Sequence, residues 1–191
     1  MEIWLIVVLV IAGIVLLVGI ILLCWWIVTF NKFKSYQVGI EEAKSGIDVA
    51  LTKRFDLLTK MFDITKGYAK HEKETLSEIV GLRQGIPTGT NVKDLSSINS
   101  KLDSEAKKIE VVFEKYPDLK ANTLFLELQA SSRDAEEHLQ ASRRLYNNNV
   151  RMYNELLVVF PSSIIAKHYH FVKSDFFEAE ESKKADIKLT F

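Results

Sequence analysis

The sequence predicts an all-α protein, in which an N-terminal single transmembrane helix continues into an antiparallel bundle of three to four long helices with coiled-coil-like packing. Three observations predict this fold class. Residues 3–30 form an apolar run without a charge, and the apolar residues that follow recur at intervals of three and four. Only three prolines and eight glycines occur among 191 residues, which suits long helices better than a turn-rich β-fold.

The apolar run is long enough to cross a bilayer, because a spanning helix needs about 20 such residues. Thr29 is its only residue with a hydroxyl, amide or charged side chain. A signal peptide usually has an apolar region of about 7–15 residues that follows a positive charge, whereas Met1 and Glu2 precede this run. We therefore interpret residues 1–31 as a retained anchor. Its Cys24 is the single cysteine, so an internal disulfide and a cysteine-based metal site are both excluded.

Aromatic and basic residues predict how the anchor lies in the membrane. Trp4 precedes Trp25 and Trp26 by about 32 Å at 1.5 Å per residue, so the three can mark the two membrane interfaces. Lys32 and Lys34 follow, while the other flank has no basic side chain. The positive-inside rule then places the N-terminus outside and the rest of the chain in the cytoplasm. The run exceeds a 30 Å hydrocarbon core by about 12 Å, a mismatch that favours tilt or oligomerisation.

The first helix beyond the anchor is predicted from an apolar stripe with helical spacing. Since nothing between Phe30 and Tyr36 breaks a helix, we expect the anchor helix to run into this one. Gly67 marks a kink, and residues 85–91 are the clearest loop in the chain. The stripe consists of Tyr36, Ile40, Ala43, Ile47, Leu51, Phe55, Leu58 and Phe62.

Two further long helices are predicted. The second runs over residues 92–116, where Pro117 stops it, and the third runs from the N-cap Asn122 to the residue before Pro161. The predicted organisation is an anchor at residues 1–31, a bundle at 32–161, and a short helix with an aromatic and polar tail at 162–191. An alternating three–four seam in the third helix indicates coiled-coil packing; it consists of Phe125, Leu128, Ser132, Ala135, Leu139, Ser142, Tyr146, Asn149, Tyr153, Leu156 and Phe160.

The polar residues of this seam have two interpretations. Ser132, Ser142 and Asn149 indicate either a close approach of helices with register control, or a polar cavity for a ligand. The run NNN at residues 147–149 lies mid-helix, where asparagine is a poor helix former. Tertiary contacts must therefore hold these residues.

Motifs that carry chemistry are incomplete. His71 and Glu72 begin an HExxH zinc motif, but Thr75 stands where the second histidine is needed. His168 and His170 offer two metal ligands without a third at a suitable spacing, so solvated or aromatic-packed histidines are the preferred interpretation. We find no glycine-rich phosphate loop and no GxSxG elbow. Balanced charge gives no reason to expect nucleic acid, and we predict neither an enzyme nor a cofactor.

Several stretches in the same order resemble the LemA family of bacterial membrane proteins: IDVALTKRFDLL, KGYAKHEKETL, YPDLKANTLFLELQ, SRRLYNNNVRMYN, and FPSSIIA followed by FFEAEE. The resemblance implies a helical bundle tethered by one membrane helix in the bacterial inner membrane, in a family whose biochemical role is largely unknown. The family's typical polar residues match Arg54, Asp56, Lys66, Gly67, Tyr68, His71, Glu72, Glu136, Arg143, Tyr146 and Asn147.

The chain departs from the family pattern at three positions. Thr59 and Lys60 replace a common Pro-Asn pair, so the resemblance does not imply a proline kink there. Glu137 stands where asparagine is usual. In this resemblance, His71 and Glu72 belong to a structural signature and not to a zinc site.

A polar network is expected between the first and third helices, because an unpaired charge beside apolar seam residues costs several kcal/mol. We expect it to consist of Arg54, Asp56, Glu136, Arg143 and Asn147. On this hypothesis, Arg143→Ala destabilises the protein by about 3 kcal/mol.

Two functions follow as hypotheses. In the first, the chain is a self-associating membrane scaffold without catalytic activity, whose partners are the lipid bilayer and other copies of itself. In the second, it is an adaptor that recruits a cytosolic or membrane partner, such as a membrane protease. The adaptor would use the exposed face of the third helix or residues 170–181, which include Phe176 and Phe177.

Overall fold

Residues 2–65 and 91–177 are described by the computed structural model, and all their regular secondary structure is helical. Within these two ranges there are five helices: α1 (Glu2–Thr65), α2 (Val92–Lys115), α3 (Pro117–Lys120), α4 (Thr123–Val158) and α5 (Ser162–His168). The predicted all-α class is confirmed. The predicted kink at Gly67 and loop at residues 85–91 lie outside the described residues, apart from Asn91.

α1 continues without a break from the apolar run into the predicted bundle helix. This confirms the expectation that nothing between Phe30 and Tyr36 ends the helix. Seven of the eight stripe residues are buried, and Tyr36 is half-buried. The three–four spacing therefore identified the packed face of α1.

Two compact units divide the chain. The first combines Met1–Ile40 with Asn149–Ser174, and the second combines Glu41–Asn148 with Asp175–Phe191. Each unit thus consists of two stretches that are distant in sequence. The predicted segments at residues 1–31, 32–161 and 162–191 follow chain order instead.

Proline and asparagine set the helix ends where the sequence predicted them. α2 ends at Lys115, and Pro117 begins the single turn of α3, a position where its missing N–H is not needed. The backbone N–H of Phe125 donates to Asn122 Oδ1 at 3.1 Å, so Asn122 is the predicted N-cap of α4.

The C-terminal end of α4 differs from the prediction. The helix ends at Val158, two residues earlier than expected, and Phe160 is 78% exposed instead of occupying the seam. Pro161 lacks the N–H that would continue the helix and disfavours helical geometry at the residue before it. The rest of the seam matches better, since Phe125, Ala135, Leu139, Tyr146 and Tyr153 are buried.

Glycines let α1 and α4 approach closely in each unit. In the first unit, a Cβ added at Gly39 would lie 3.0 Å from Asn149 Nδ2, and this amide donates to the Gly39 carbonyl at 2.9 Å. In the second, a Cβ at Gly46 would lie 3.1 Å from Ser142 Oγ. Close helix approach, the first interpretation of the polar seam, is therefore confirmed for Ser142 and Asn149.

Candidate functional site

The apolar part of α1 has the properties of a membrane-spanning segment. Among the described residues one helix, Ile3–Thr65, is long and apolar enough to cross a membrane, and none of its most apolar stretch is buried. A core helix of a soluble protein would bury that stretch. Trp4 is 75% exposed, while Trp25 and Trp26 are half-buried at the other end.

The last turns of this run pack against protein. Residues 3–24 are all exposed, but Thr29 is buried and Phe30 is half-buried. The 22 exposed residues span about 33 Å, which matches a 30 Å hydrocarbon core. Beyond residue 24, Thr29 and Phe30 are covered, but Ile27 and Val28 stay 50% and 55% exposed, so the protein covers only part of the predicted excess of about 12 Å.

An aromatic cluster covers these turns in the first unit. Phe33 is fully buried, with ring centroids 4.8 Å from Phe171 and 5.9 Å from Tyr153. The ring of Tyr169 lies 4.7 Å from that of Phe30. Lys34 Nζ lies 5.3 Å above the Phe171 ring, a cation–π contact that leaves its charge near the predicted interface. Lys32 is exposed.

The two histidines of residues 168–170 have structural positions. The His168 ring packs edge-on against Trp26, with centroids 5.5 Å apart. His170 has a φ of 54°, and the N–H of Phe171 donates to the Ala166 carbonyl at 3.0 Å. This is the Schellman arrangement that ends a helix with a left-handed residue. His170 thus closes α5, and its ring is exposed.

An asparagine of α4 binds the C-terminal segment 175–177 in the second unit. Asn147 Oδ1 accepts from the Phe177 N–H at 2.8 Å, and Asn147 Nδ2 donates to the Phe177 carbonyl at 3.0 Å. The Arg143 guanidinium lies 4.6 Å from the centroid of the buried Phe177 ring. One amide side chain therefore satisfies both backbone polar groups of a residue outside regular structure.

The buried Tyr146 hydroxyl adds a third hydrogen bond to this segment, donated to the Asp175 carbonyl at 2.9 Å. Burial, then the charges of Asp175 and Glu41, raise the pKa of Tyr146 above its ordinary value. The hydroxyl consequently stays protonated at physiological pH and remains a donor.

The same arrangement recurs one heptad later, in the first unit. Asn154 Oδ1 accepts from the Ser174 N–H at 3.0 Å, and Asn154 Nδ2 donates to the Ser174 carbonyl at 2.9 Å. Tyr153, the residue before Asn154, is buried, and its hydroxyl accepts a hydrogen bond from Gln37 Nε2 at 3.3 Å. Burial raises the pKa of Tyr153 more than this hydrogen bond lowers it. The polar residues in mid-helix thus have tertiary partners, as predicted. We call Asn147 and Asn154 the asparagine pair.

A second polar cluster surrounds Arg54, which is buried in the second unit. Its Nη2 lies 2.7 Å from Asp103 Oδ1, and its Nη1 donates to Asn99 Oδ1 at 2.8 Å. Glu136 Oε2 lies 3.1 Å from Nη1 but accepts no aligned hydrogen bond, so this contact is an ion pair only. Gln140 Nε2 donates to Glu136 Oε1 at 2.7 Å. The buried charge is therefore compensated by groups from α2 and α4.

The five residues of the predicted network lie in three places. Arg54 and Glu136 are paired, whereas Arg143 and Asn147 contact Phe177. Asp56 lines a shallow depression with Lys53 and Lys60. Among the described residues, these five side chains therefore do not form one network. Of the family signature, Tyr146 has been placed above, and Lys66, Gly67, Tyr68, His71 and Glu72 lie outside the described residues.

A small cleft beside Arg54 is the nearest approach to a polar cavity. It has a volume of about 210 Å³ and lies between Arg54, Phe113, Phe125, Ser132 and Glu136, among others. Ser132 therefore fits the second interpretation of the polar seam. Within residues 2–65 and 91–177, no group of three histidine, cysteine, aspartate or glutamate side chains is placed to hold a metal ion. The cleft offers hydrogen bonds and charge for binding.

Arg54→Ala is expected to lower the free energy of unfolding by about 3 kcal/mol, because Asp103 and Asn99 lose their bonds to the buried guanidinium. Arg143→Ala is expected to cost about 1 kcal/mol, since it loses one contact with an aromatic ring. The single-network hypothesis instead expected a loss of about 3 kcal/mol for Arg143→Ala. Thermal and denaturant unfolding of the two variants measures both, and an Arg143 effect equal to the Arg54 effect would contradict the two-cluster geometry.

Asn147→Ala is expected to release the C-terminal segment locally. Two hydrogen bonds of about 1 kcal/mol each are lost, so the Phe177 amide should exchange its hydrogen roughly ten- to thirtyfold faster. The matched control is Arg144→Ala, an exposed neighbour on α4. Equal exchange at Phe177 in both variants would show that Asn147 does not hold the segment.

Comparison with known proteins agrees with this architecture. The model of the LemA family matches residues 43–191. A curated relative, Protein LemA of Metamycoplasma hominis (strain ATCC 23114 / DSM 25592 / NBRC 14850 / NCTC 10111 / PG21), is 30% identical over 159 residues, which are 82% of this chain and 72% of the relative. The candidate membrane helix and the bundle fit a membrane-anchored helical protein. The chain belongs to the LemA family.

Proposed function

We propose that the protein is a self-associating membrane scaffold without catalytic activity. The observation that carries this proposal is the continuity of α1, which is one helix from the candidate membrane span to the packed residues of the second unit. A continuous helix has no flexible linker, so contacts between neighbouring copies can act on the span through α1. Repeated identical contacts of this kind form closed rings or larger arrays.

The surface around Val49 in the second unit suits contact with a second copy. Val49 is 67% exposed and lines a shallow groove of about 410 Å³ with the small residues Ser45, Gly46 and Ala50 of α1. Small residues permit another helix to approach closely. Two depressions adjoin this groove: one shares Val49 and Lys53 with it, and the other shares Lys53 and His138. We call the groove and the two depressions together the Val49 face.

Charges of both signs surround the groove. Lys53, Lys60 and Arg144 lie on the Val49 face together with Asp56 and Asp134. Such a surface can pair with its own copy across a two-fold axis, because each positive group can meet a negative one.

The adaptor is the second candidate. Phe176 is 45% exposed, and its neighbours Asp175 and Phe177 are held by α4, so its ring is presented in a fixed position. Phe177 is 3% exposed and cannot serve a partner as originally expected. A heterologous partner whose crosslinking is lost in Phe176→Ala, but retained in Val172→Ala, would favour the adaptor.

We propose that the bundle lies in the cytoplasm. Lys167 and Lys173 lie in the same compact unit as Lys32 and Lys34, which strengthens the basic flank. Val111→Cys in a Cys24→Ser background should resist an impermeant thiol reagent in intact cells and react after permeabilisation. Ready labelling of intact cells would place the bundle outside.

Self-association is tested with the full-length protein in mild detergent. We expect a defined oligomer by mass measurement over a hundredfold range of concentration. Val49→Glu should shift the mass towards the monomer, because it places a charge in the contact. Electron microscopy of the parent should show closed or repeating particles.

The matched control is Val111→Glu, which changes an exposed valine of α2. It should leave the mass unchanged. A parent that is monomeric at every concentration, with liposomes unaltered after reconstitution, would end the scaffold proposal and leave the adaptor.

A further inference from the structure

The turn between α4 and α5 exposes large apolar side chains. Val158 is 63% exposed, Val159 47%, Phe160 78% and Ile164 49%. No residue from 156 to 166 carries a charge. We call these four side chains the apolar tip. Isolated apolar residues are common at protein surfaces, but a cluster of large ones on a single turn marks a site of interaction.

Contacts within the first unit give the level of the apolar tip along α1. Tyr153 packs on Phe33 and binds Gln37, and α4 continues from it to its last residue, Val158. The five residues from Tyr153 to Val158 advance about 7.5 Å along α4. Because α1 runs antiparallel, the same distance corresponds to five residues back along α1. Tyr153 lies between the levels of Phe33 and Gln37, so Val158 lies near the level of residue 30, at the end of the apolar run.

The residues that follow the turn also contact the last turns of the apolar run. His168 and Tyr169, at the end of α5, contact Trp26. The apolar tip is therefore flanked on both sides by residues that pack on the last turns of the candidate membrane span. Trp25 and Trp26 are the aromatic residues that mark this end of the span.

The first unit, which holds the apolar tip, is basic beyond the span. Beyond residue 30, the first unit contains Lys32, Lys34, Lys167, Lys173 and Arg151, against the single acid Glu155. Arg151 and Glu155 pair with each other at 3.8 Å. The four lysines therefore leave a net positive collar, which complements anionic lipid headgroups.

We propose that the apolar tip is a second membrane-inserted element, which enters the interfacial layer of the leaflet where the span of α1 ends. Its side chains lie about 5–10 Å into the headgroup and acyl boundary, as amphipathic interfacial helices do. The lysines lie among anionic headgroups. The proposal rests on the membrane span of α1 and does not depend on self-association.

Lipid fits this surface better than a protein partner does. The apolar tip lies at the level where the candidate span ends, so a bilayer around the span reaches it. A second copy would have to bring its own basic collar against this one, and like charges repel.

The test measures the depth of a fluorescent label in lipid nanodiscs that contain anionic and zwitterionic lipids. The full-length protein carries Cys24→Ser and Phe160→Cys, with an environment-sensitive fluorophore on the new cysteine. The matched control is Val38→Cys, 67% exposed in the same unit and about 12 Å along α1 beyond Phe30. Ile164→Cys provides a second position if Phe160→Cys does not fold.

At residue 160 we expect a blue-shifted emission, loss of quenching by iodide, and strong quenching by lipids that carry a nitroxide near the top of the acyl chain. At residue 38 we expect iodide quenching and no effect of the lipid nitroxide. Equal iodide quenching at the two positions would overturn the proposal. Protection of residue 160 from both quenchers would also overturn it, because the apolar tip would then be covered by protein, such as a second copy.

Discussion

The continuous backbone hydrogen bonding of α1 is the constraint on which the other features depend. α1 carries the apolar span and the packed stripe in one helix. Residues 31–40 are therefore helical themselves, and no helix end that would require a cap lies between the span and the stripe. A helix end at the membrane surface would leave unpaired backbone groups that require other partners. Since α1 does not end there, side chains near residues 31–40 are not needed to cap it and can pack against α4 and the segment after α5. Phe33 is accordingly fully buried, and Gly39 accepts the close approach of Asn149.

Side-chain amides on α4 do a task that secondary structure cannot do for residues 171–177. This segment lies outside helices and strands, and Asn147 and Asn154 each bind both backbone groups of one of its residues. α5 and the segment are thereby kept beside the helices that precede them in the chain. Their position explains why the end of the apolar run is covered by Tyr169 and Phe171.

The sequence predicted most of the fold because local signals decide helices. The three–four stripe, the N-cap Asn122 and the prolines 117 and 161 each act within a few residues. The site was less predictable, since Arg54 finds Asn99 and Asp103 across 45 and 49 residues, and no spacing rule connects them. One signal was available and missed. Tyr146-Asn147 recurs as Tyr153-Asn154 one heptad later, which places a seam tyrosine beside a binding asparagine twice.

The central claim, that one helix joins the membrane span to the bundle, is tested most directly by hydrogen exchange in lipid nanodiscs. The backbone amides of residues 31–40 lie beyond the apolar run, so the bilayer core does not protect them. An unbroken α1 predicts slow exchange at every one of these amides, comparable with the buried stripe that follows. A group of rapidly exchanging amides between Phe30 and Tyr36 would reveal a hinge and contradict the account.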